Sequence, residues 1–244
     1  MGDAATDAGL TSRWRGIGAG RTLELRAVAL WTTEIPLLCP IATAKGTHRS
    51  RPLIFVQVLG RSHGDAVEGW GECAALGDGS YDPEDVSVSA EALELAVVPA
   101  LFGQVADDAR RLPPPSELDP VRRSSPGTPL AFAALEMAVA DAHLRAEGRS
   151  FAAVLGVERR TVELGAVAGL APSPDGLVAG VGELVDAGFA RVKVKIAPGS
   201  DVGHLEAVRR SWPRLGLQAD ANGSYAETDH DRLRLLDRFG LLCL

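Results

Sequence analysis

The stretch Ala190–Tyr225, ARVKVKIAPGSDVGHLEAVRRSWPRLGLQADANGSY, decides how the chain is read. Lys193 and Lys195 alternate with Val192, Val194 and Ile196. Successive side chains of a strand point to opposite faces, so the two lysines share one face and the three aliphatics the other. The same rule places Gln218, Asp220 and Asn222 on one face of the run that begins at Leu215. Between the two runs a Pro198-Gly199 turn precedes Ser200 and Asp201, both good N-cap types, and Leu205, Val208 and Trp212 then recur at helical spacing. The pattern predicts a β-α-β unit, whose crossover makes the two strands parallel. Both charged clusters lie near the carboxyl ends of their strands, which in a β/α barrel is the catalytic end. Taken singly these motifs are commonplace: Lys-x-Lys is a frequent solvated edge, and Asp-Ala-Asn-Gly a frequent turn. One β/α unit apart and facing one lumen, they become a candidate site.

Outward from this unit the chain keeps a rhythm. Apolar strand-like runs begin near Leu164, Ala190, Leu215 and Leu241, a spacing of roughly 26 residues, with helices expected near 175–187, 201–212 and 228–239. That is a β/α repeat, with strands buried on both faces. The part before it reads as an α+β module. Leu23–Trp31, Leu53–Leu59 and Ala66–Ala74 are expected strands of an antiparallel meander, joined first by a long loop from Pro36 to Pro52. Asp82-Pro83-Glu84-Asp85 is an expected helix start with Asp82 as N-cap, followed by a buried stripe of Val86, Ala90, Leu93 and Val97. Residues 104–128 read as an irregular connection. Thr128-Pro129 opens another helix, with Leu130, Ala134, Met137, Asp141 and Leu144 on its apolar stripe and Gly148 as its stop. Asp141 on that stripe reads as a satisfied, buried carboxylate.

At 244 residues, two domains are the expectation. With 46% apolar and 23% charged residues the composition is globular, and a formal charge of −7 argues against a nucleic-acid surface. Cys39, Cys73 and Cys243 are scattered and odd in number, which reads as reduced thiols rather than a disulfide framework. The histidines His48, His63, His143, His204 and His230 show no ligand spacing. No apolar run is expected to reach membrane-spanning length. The N-terminal stretch is polar and rich in small residues, so it is not read as a signal peptide, and residues 1–21 are expected to be disordered. A soluble cytoplasmic protein is the expectation.

VKVKIAPGSD at 192–201 and LQADANGSY at 217–225 resemble the enolase superfamily, in its muconate-lactonizing subgroup. Within it they most resemble the o-succinylbenzoate synthases and N-acylamino acid racemases. GWGECAAL at 69–76, Tyr81 after it, and AFAALEMAVADAHLRAEGRS at 131–150 agree with this. The resemblance runs from about residue 22 to the last residue. It implies an α/β fold with an N-terminal α+β capping domain, 22–148, followed by a TIM-type (β/α) barrel from 149 to 244. The capping loops, about 36–50 and 77–82, would close over the substrate, with Tyr81 in the pocket.

The chemistry such enzymes perform explains the residue types. A proton next to a carboxylate is weakly acidic, because its loss leaves an enediolate with two negative charges on oxygen. The family meets that charge with Mg²⁺ and removes the proton with a lysine or histidine. A second lysine and a metal beside the basic lysine both disfavour its charged form. The resemblance makes Lys195 the general acid/base, Lys193 its partner on the substrate carboxylate, Asp220 the first metal ligand, and Asn222 a supporting group. It implies a dehydratase of the o-succinylbenzoate synthase type, acting in menaquinone biosynthesis. The alternatives are an N-acylamino acid racemase, a dipeptide epimerase, a muconate cycloisomerase-type enzyme, or a non-catalytic fragment. The expected partner is a small carboxylate substrate; no nucleic acid or membrane is expected, and self-association into a homo-oligomer is left open.

In the family the second and third metal ligands end the fourth and fifth barrel strands, and an opposing lysine ends the sixth. This sequence reaches Gly240-Leu-Leu-Cys-Leu244, within the expected fourth strand. About three and a half β/α units are therefore expected, against eight in a closed barrel. The expectation is a truncated or partial version of a longer enzyme, nearly inactive by itself.

Overall fold

The computed structural model describes residues 14, 16–18, 20, 22–106, 110–158 and 161–244. The chain forms two compact units, Met1–Ile35 with Arg51–Arg160 and Pro36–Ser50 with Thr161–Leu244. Residues 149–158 therefore pack with the first unit, and the far end of the first hairpin groups with the second.

The first unit is built on a sheet of β1 (Glu24–Thr43), β2 (Gly46–Ser62) and β3 (Asp65–Cys73), in that order. β2 and β3 pair antiparallel from Ile54↔Cys73 to Ser62↔Asp65. The expected loop from Pro36 to Pro52 is not a loop. β1 and β2 run straight through it and reverse over Ala44 and Lys45. β1 carries Pro36 and Pro40 within it and is an edge strand. Prolines four residues apart lose their N–H groups on the same side of a strand, which an edge tolerates.

Gly69 and Gly71 explain how this sheet meets its main helix, Pro129–Glu147. A Cβ placed on Gly71 would lie 1.9 Å from the Ala134 carbonyl oxygen, and one on Gly69 2.2 Å from that of Ala138. The helix answers with small residues: Ala131, Ala134, Ala138 and Ala142 are all buried. Strand and helix backbones thus approach more closely than any side chain allows. This corrects the expected stripe, since Leu130 and Met137 are exposed while Leu135 and Val139 are buried. Periodicity keyed on large residues missed a contact face made of alanine. Asp141 is satisfied, taking the Trp70 amide at 2.9 Å and pairing with Arg145 at 2.8 Å, but its side chain is only partly buried.

The helix α1 runs as Val86–Ala92, a π-helical turn Leu93–Val97, and Val98–Ala106. Pro99 cannot donate to a carbonyl four residues back and clashes with it, and the wider turn before it accommodates that. Its N-cap is Asp85, which accepts from the Ser87 and Val88 amides, and not the expected Asp82. Asp82 instead receives the Glu84 amide at 2.8 Å. Glu84 is 1% exposed and reaches across to the helix Pro129–Glu147, taking the Leu130 and Ala131 amides at 2.7 Å each. A carboxylate at a helix N-terminus satisfies otherwise orphaned amides and complements the helix dipole. Thr128 occupies the cap position but makes no side-chain cap bond.

Residues 104–128 are not wholly irregular, since α2 (Asp119–Ser124) forms there, with Val121 buried. With α2 placed, Pro129–Glu147 is α3 and Phe151–Leu155 is α4. Ile17 is fully buried with Ala140, Leu144 and Val154, and Trp14 packs edge-on against Phe151. The stretch expected to be disordered thus carries a packed anchor; residues 1–13, 15, 19 and 21 lie outside the described residues. Among the described residues one helix, Val86–Val105, is long and apolar enough by composition to cross a membrane, against the expectation that no run reaches that length. Its Leu93, Val97, Leu101 and Val105 are buried in the core of the first unit.

Gly103 of α1 is exposed, and a Cβ there would meet nothing within 4 Å. Gly103→Ala is therefore expected to raise stability by about 0.5–1 kcal/mol, read as a higher urea midpoint with an unchanged slope.

The second unit holds β4 (Ala166–Ala168), β5 (Arg191–Lys195) and β6 (Gly216–Asp220), a parallel sheet in that order. Helices α5 (Pro174–Asp186) and α6 (Val202–Ser211) form the crossovers, capped by Ser173 and Asp201. Val192, Val194, Leu217 and Ala219 form one buried face with Leu177, Val181, Leu205 and Val208 of the helices. This is an incomplete β/α barrel. Its first strand is shorter than expected, with Leu164 exposed ahead of it. The expected helix 228–239 is broken into a 3₁₀ turn at Glu227–Asp229, α7 (His230–Arg234) and another 3₁₀ turn at Asp237–Phe239. The expected fourth strand is not formed as a strand. Only its first bonds to β6 are present, Leu242 N to Leu217 O at 2.8 Å and Ala219 N to Cys243 O at 3.1 Å.

Candidate active site

Lys195 and Asp220 are the last residues of β5 and β6, and they are register partners. In a parallel ladder partners face the same way, so Lys193, Gln218, Lys195 and Asp220 project from one face, and Val192, Val194, Leu217 and Ala219 from the other. The two lysine ammonium groups converge on one oxygen: Lys193 Nζ lies 2.9 Å and Lys195 Nζ 2.8 Å from Asp220 Oδ2. Lys195 is nearly buried at 9% exposure, whereas the Lys193 side chain retains 35%. Burial acts to raise the Asp220 pKa, but the bonds from Lys195 and Lys193, with the Asn222 amide, override it and hold the carboxyl far below the usual range.

Asn222 completes the group. Its Oδ1 accepts from Lys195 Nζ at 2.7 Å, and its own amide donates to Asp220 Oδ1 at 3.0 Å. Asn222 has φ +49° and Gly223 φ +68°, and Ser224 N bonds back to Ala221 O at 3.0 Å. Asn-Gly is the pair best suited to two consecutive left-handed positions in a tight turn. The turn aims the amide oxygen back at the end of β5. The structure thus brings Lys193, Lys195, Asp220 and Asn222 together. Tyr81 lies in the first unit, 39% exposed in the segment between β3 and α1, and is not part of this cluster.

A second cluster escaped the sequence reading. The Asp201 carboxylate accepts from Val202 N at 2.6 Å, Tyr225 Oη at 2.8 Å, Arg232 Nη2 at 2.7 Å and Arg232 Nε. Its side chain is 2% exposed. Burial alone would raise its pKa; the hydrogen bonds from Arg232, Tyr225 and Val202 reverse that and lower it to about 2. Only the N-cap role of Asp201 could be read from the sequence, because Tyr225 and Arg232 are remote along the chain. A carboxyl with a lowered folded pKa stabilises fully above its unfolded value near 4, and that gain is lost as pH falls through about 2. Asp201→Asn is expected to cost about 2–3 kcal/mol at pH 7 in urea denaturation, with the gap to the parent narrowing below pH 4.

Magnesium takes hard oxygen donors, usually more than one of them from carboxylates and substrate. Among the described residues no group of three or more His, Cys, Asp or Glu could hold a metal ion. Asp220 offers one carboxylate, already engaged by two ammonium groups. The described residues therefore do not by themselves form a Mg²⁺ site.

The N-terminal domain of the mandelate racemase / muconate lactonizing enzyme family matches residues 26–156, more than half of the chain. The chain belongs to the mandelate racemase / muconate lactonizing enzyme family. Its relatives include both synthases and racemases. An o-succinylbenzoate synthase from Geobacillus kaustophilus is 34% identical over 222 residues, covering 91% of this chain and 57% of that protein. An N-succinylamino acid racemase from Amycolatopsis is 37% identical over 223 residues, covering 91% and 58%. Among solved structures, an enolase superfamily member from Listeria innocua superposes with a TM-score of 0.79 at 32% identity, over 90% of this chain and 57% of that one. A probable mandelate racemase from Alicyclobacillus acidocaldarius gives 0.77 at 35%, over 91% and 56%. The chain thus spans a little over half the length of the mandelate racemase / muconate lactonizing enzyme relatives it matches.

Proposed function

We propose that this chain carries the acid/base lysines of an enzyme that moves a proton on the carbon next to a carboxylate, in the manner of an o-succinylbenzoate synthase. The observation that carries the reading is the convergence of Lys195 and Lys193 on Asp220, with Lys195 almost buried. Lys195 is the group that takes the proton, acting as the neutral amine once its own ammonium proton has passed to solvent. Lys193, more exposed, donates to the substrate carboxylate and offsets charge as it develops on oxygen. Asn222 holds Lys195 Nζ in place. In the dehydratase reading, loss of hydroxide from the neighbouring carbon follows proton removal and yields the aromatic product. The racemase reading shares the first step and then returns a proton to the other face; the 37% identity to an N-succinylamino acid racemase keeps it beside the first. Among the described residues, Asp220 is the ligand this chain would contribute to a divalent cation, Mg²⁺ on the family's pattern. A single carboxylate holds a divalent cation weakly, so turnover by these residues alone is expected to be slow. Tyr81 as a pocket residue, a capping role for the first unit and a cytoplasmic setting belong to the same proposal.

The test is α-proton exchange. An N-succinylamino acid held in D₂O with excess chain and Mg²⁺ is followed by proton NMR, beside formation of o-succinylbenzoate from its hydroxylated precursor. Slow exchange or dehydration above the uncatalysed rate, lost in Lys195→Ala, is the expected result. Rates equal in parent and Lys195→Ala would contradict it.

A further inference from the structure

The Asp201 cluster takes no part in the proton transfer proposed above, yet it joins the two segments that carry it. Lys195 ends β5, and the chain runs from there through Ile196–Ser200 to Asp201. Asp220 ends β6, and the chain runs through the Asn222-Gly223 turn to Tyr225. Tyr225 Oη donates to Asp201 Oδ2 at 2.8 Å, and Lys195 Nζ donates to Asn222 Oδ1 at 2.7 Å. The circuit is closed: Lys195 to Asp201 along the chain, Asp201 to Tyr225 by a hydrogen bond, Tyr225 to Asn222 along the chain, Asn222 to Lys195 by a hydrogen bond.

We propose that Asp201 is a positioning residue for Lys195: through Tyr225 it fixes the Asn222-Gly223 turn, so that the Asn222 amide oxygen stays on the Lys195 ammonium. Its meaning for catalysis rests on the reading of Lys195 as the acid/base; the mechanical coupling does not. The turn needs such a tie. Glycine has the greatest backbone freedom to lose on ordering, and Gly223 is exposed with nothing within 4 Å of its Cβ position. Arg232 explains why a carboxylate can serve as the anchor. Its guanidinium meets both Asp201 oxygens and compensates the buried charge, which leaves Tyr225 free to act as the tether.

This division of labour sets the experiment. Tyr225→Phe removes the tether but keeps the Asp201–Arg232 pair, so the fold should survive; Asp201→Asn is the second variant, which weakens both. In the labelled 244-residue chain, amide hydrogen exchange is measured at Asn222, Gly223 and Ser224 and compared with Val192 and Val194 of the central strand. The side-chain amide resonance of Asn222 reports its bond to Lys195. In Tyr225→Phe the turn amides are expected to exchange about tenfold faster and the Asn222 side-chain signal to move, with the β5 amides changed less than about twofold. Unchanged exchange at the turn, or a rise shared equally by β5, would overturn the proposal, because the second pattern is loss of stability alone. Neither readout needs turnover. Failure of the Lys195-dependent exchange assay would therefore leave this inference standing, and failure here would leave that assay untouched.

Discussion

Gly71→Ala is expected to destabilise the first unit by about 3–5 kcal/mol, lowering its melting temperature by about 10–15 °C. A methyl group there would stand 1.9 Å from the Ala134 carbonyl oxygen and 2.8 Å from the Ala138 amide nitrogen. Both obstacles are main-chain atoms of α3, so no rotamer change relieves them. The helix must lift from the strand, taking buried Leu135 and Val139 with it. Against a total stability of about 5–15 kcal/mol this is a large fraction. Gly103→Ala in the same unit is the control: the same change at an unobstructed helix position, with the opposite sign. Circular dichroism melts of the two variants beside the parent make the comparison. A Gly71→Ala chain that melts within about 2 °C of the parent would show that β3 and α3 are not in backbone contact.

The second large effect lies at the site. Asp220→Leu is expected to cost about 2–3 kcal/mol, and Lys195→Met less than about 1 kcal/mol in either direction. The asymmetry follows from who keeps a partner. Without Asp220, Lys195 is left nearly buried beside the Lys193 ammonium, with only the Asn222 oxygen to accept from it. Without Lys195, Asp220 still has Lys193 at 2.9 Å and the Asn222 amide at 3.0 Å. The estimate lies below the usual cost of breaking a buried ion pair because Asp220 and Lys193 are partly hydrated. Urea denaturation of the two variants checks it; equal losses for both would mean that the lysine and the carboxylate are separately solvated.

The parallel unit was legible because two different periods meet in it. Alternation in 192–196 separates lysines from aliphatics, and the turn and N-cap at 198–201 mark where the helix begins. Register then follows, since a barrel strand that buries Val192 and Val194 must turn Lys193 and Lys195 the other way. The first hairpin was not legible. Two prolines signal a break unless the strand is known to be an edge, and that is a property of the sheet rather than of the segment. The closest packing in the first unit was also hidden, because Gly69, Gly71 and the alanines of α3 carry little hydrophobic signal individually. Their meaning is the space they leave. Asp85, Glu84 and Asp82 are three acids in four residues, and local rules could not tell which caps α1, which reaches α3 and which closes the turn. The Asp201–Tyr225–Arg232 cluster likewise joins residues up to 31 positions apart and exists only once the loops after β5 and β6 stand side by side.

A double-mutant cycle on Lys195→Met and Asp220→Leu, read by urea denaturation at pH 7, tests most directly whether groups from two neighbouring strands share one site. The predicted result is a coupling of about 2 kcal/mol, with the double variant more stable than Asp220→Leu alone. Additive losses, within about 0.5 kcal/mol, would contradict the shared site and the chemistry built on it.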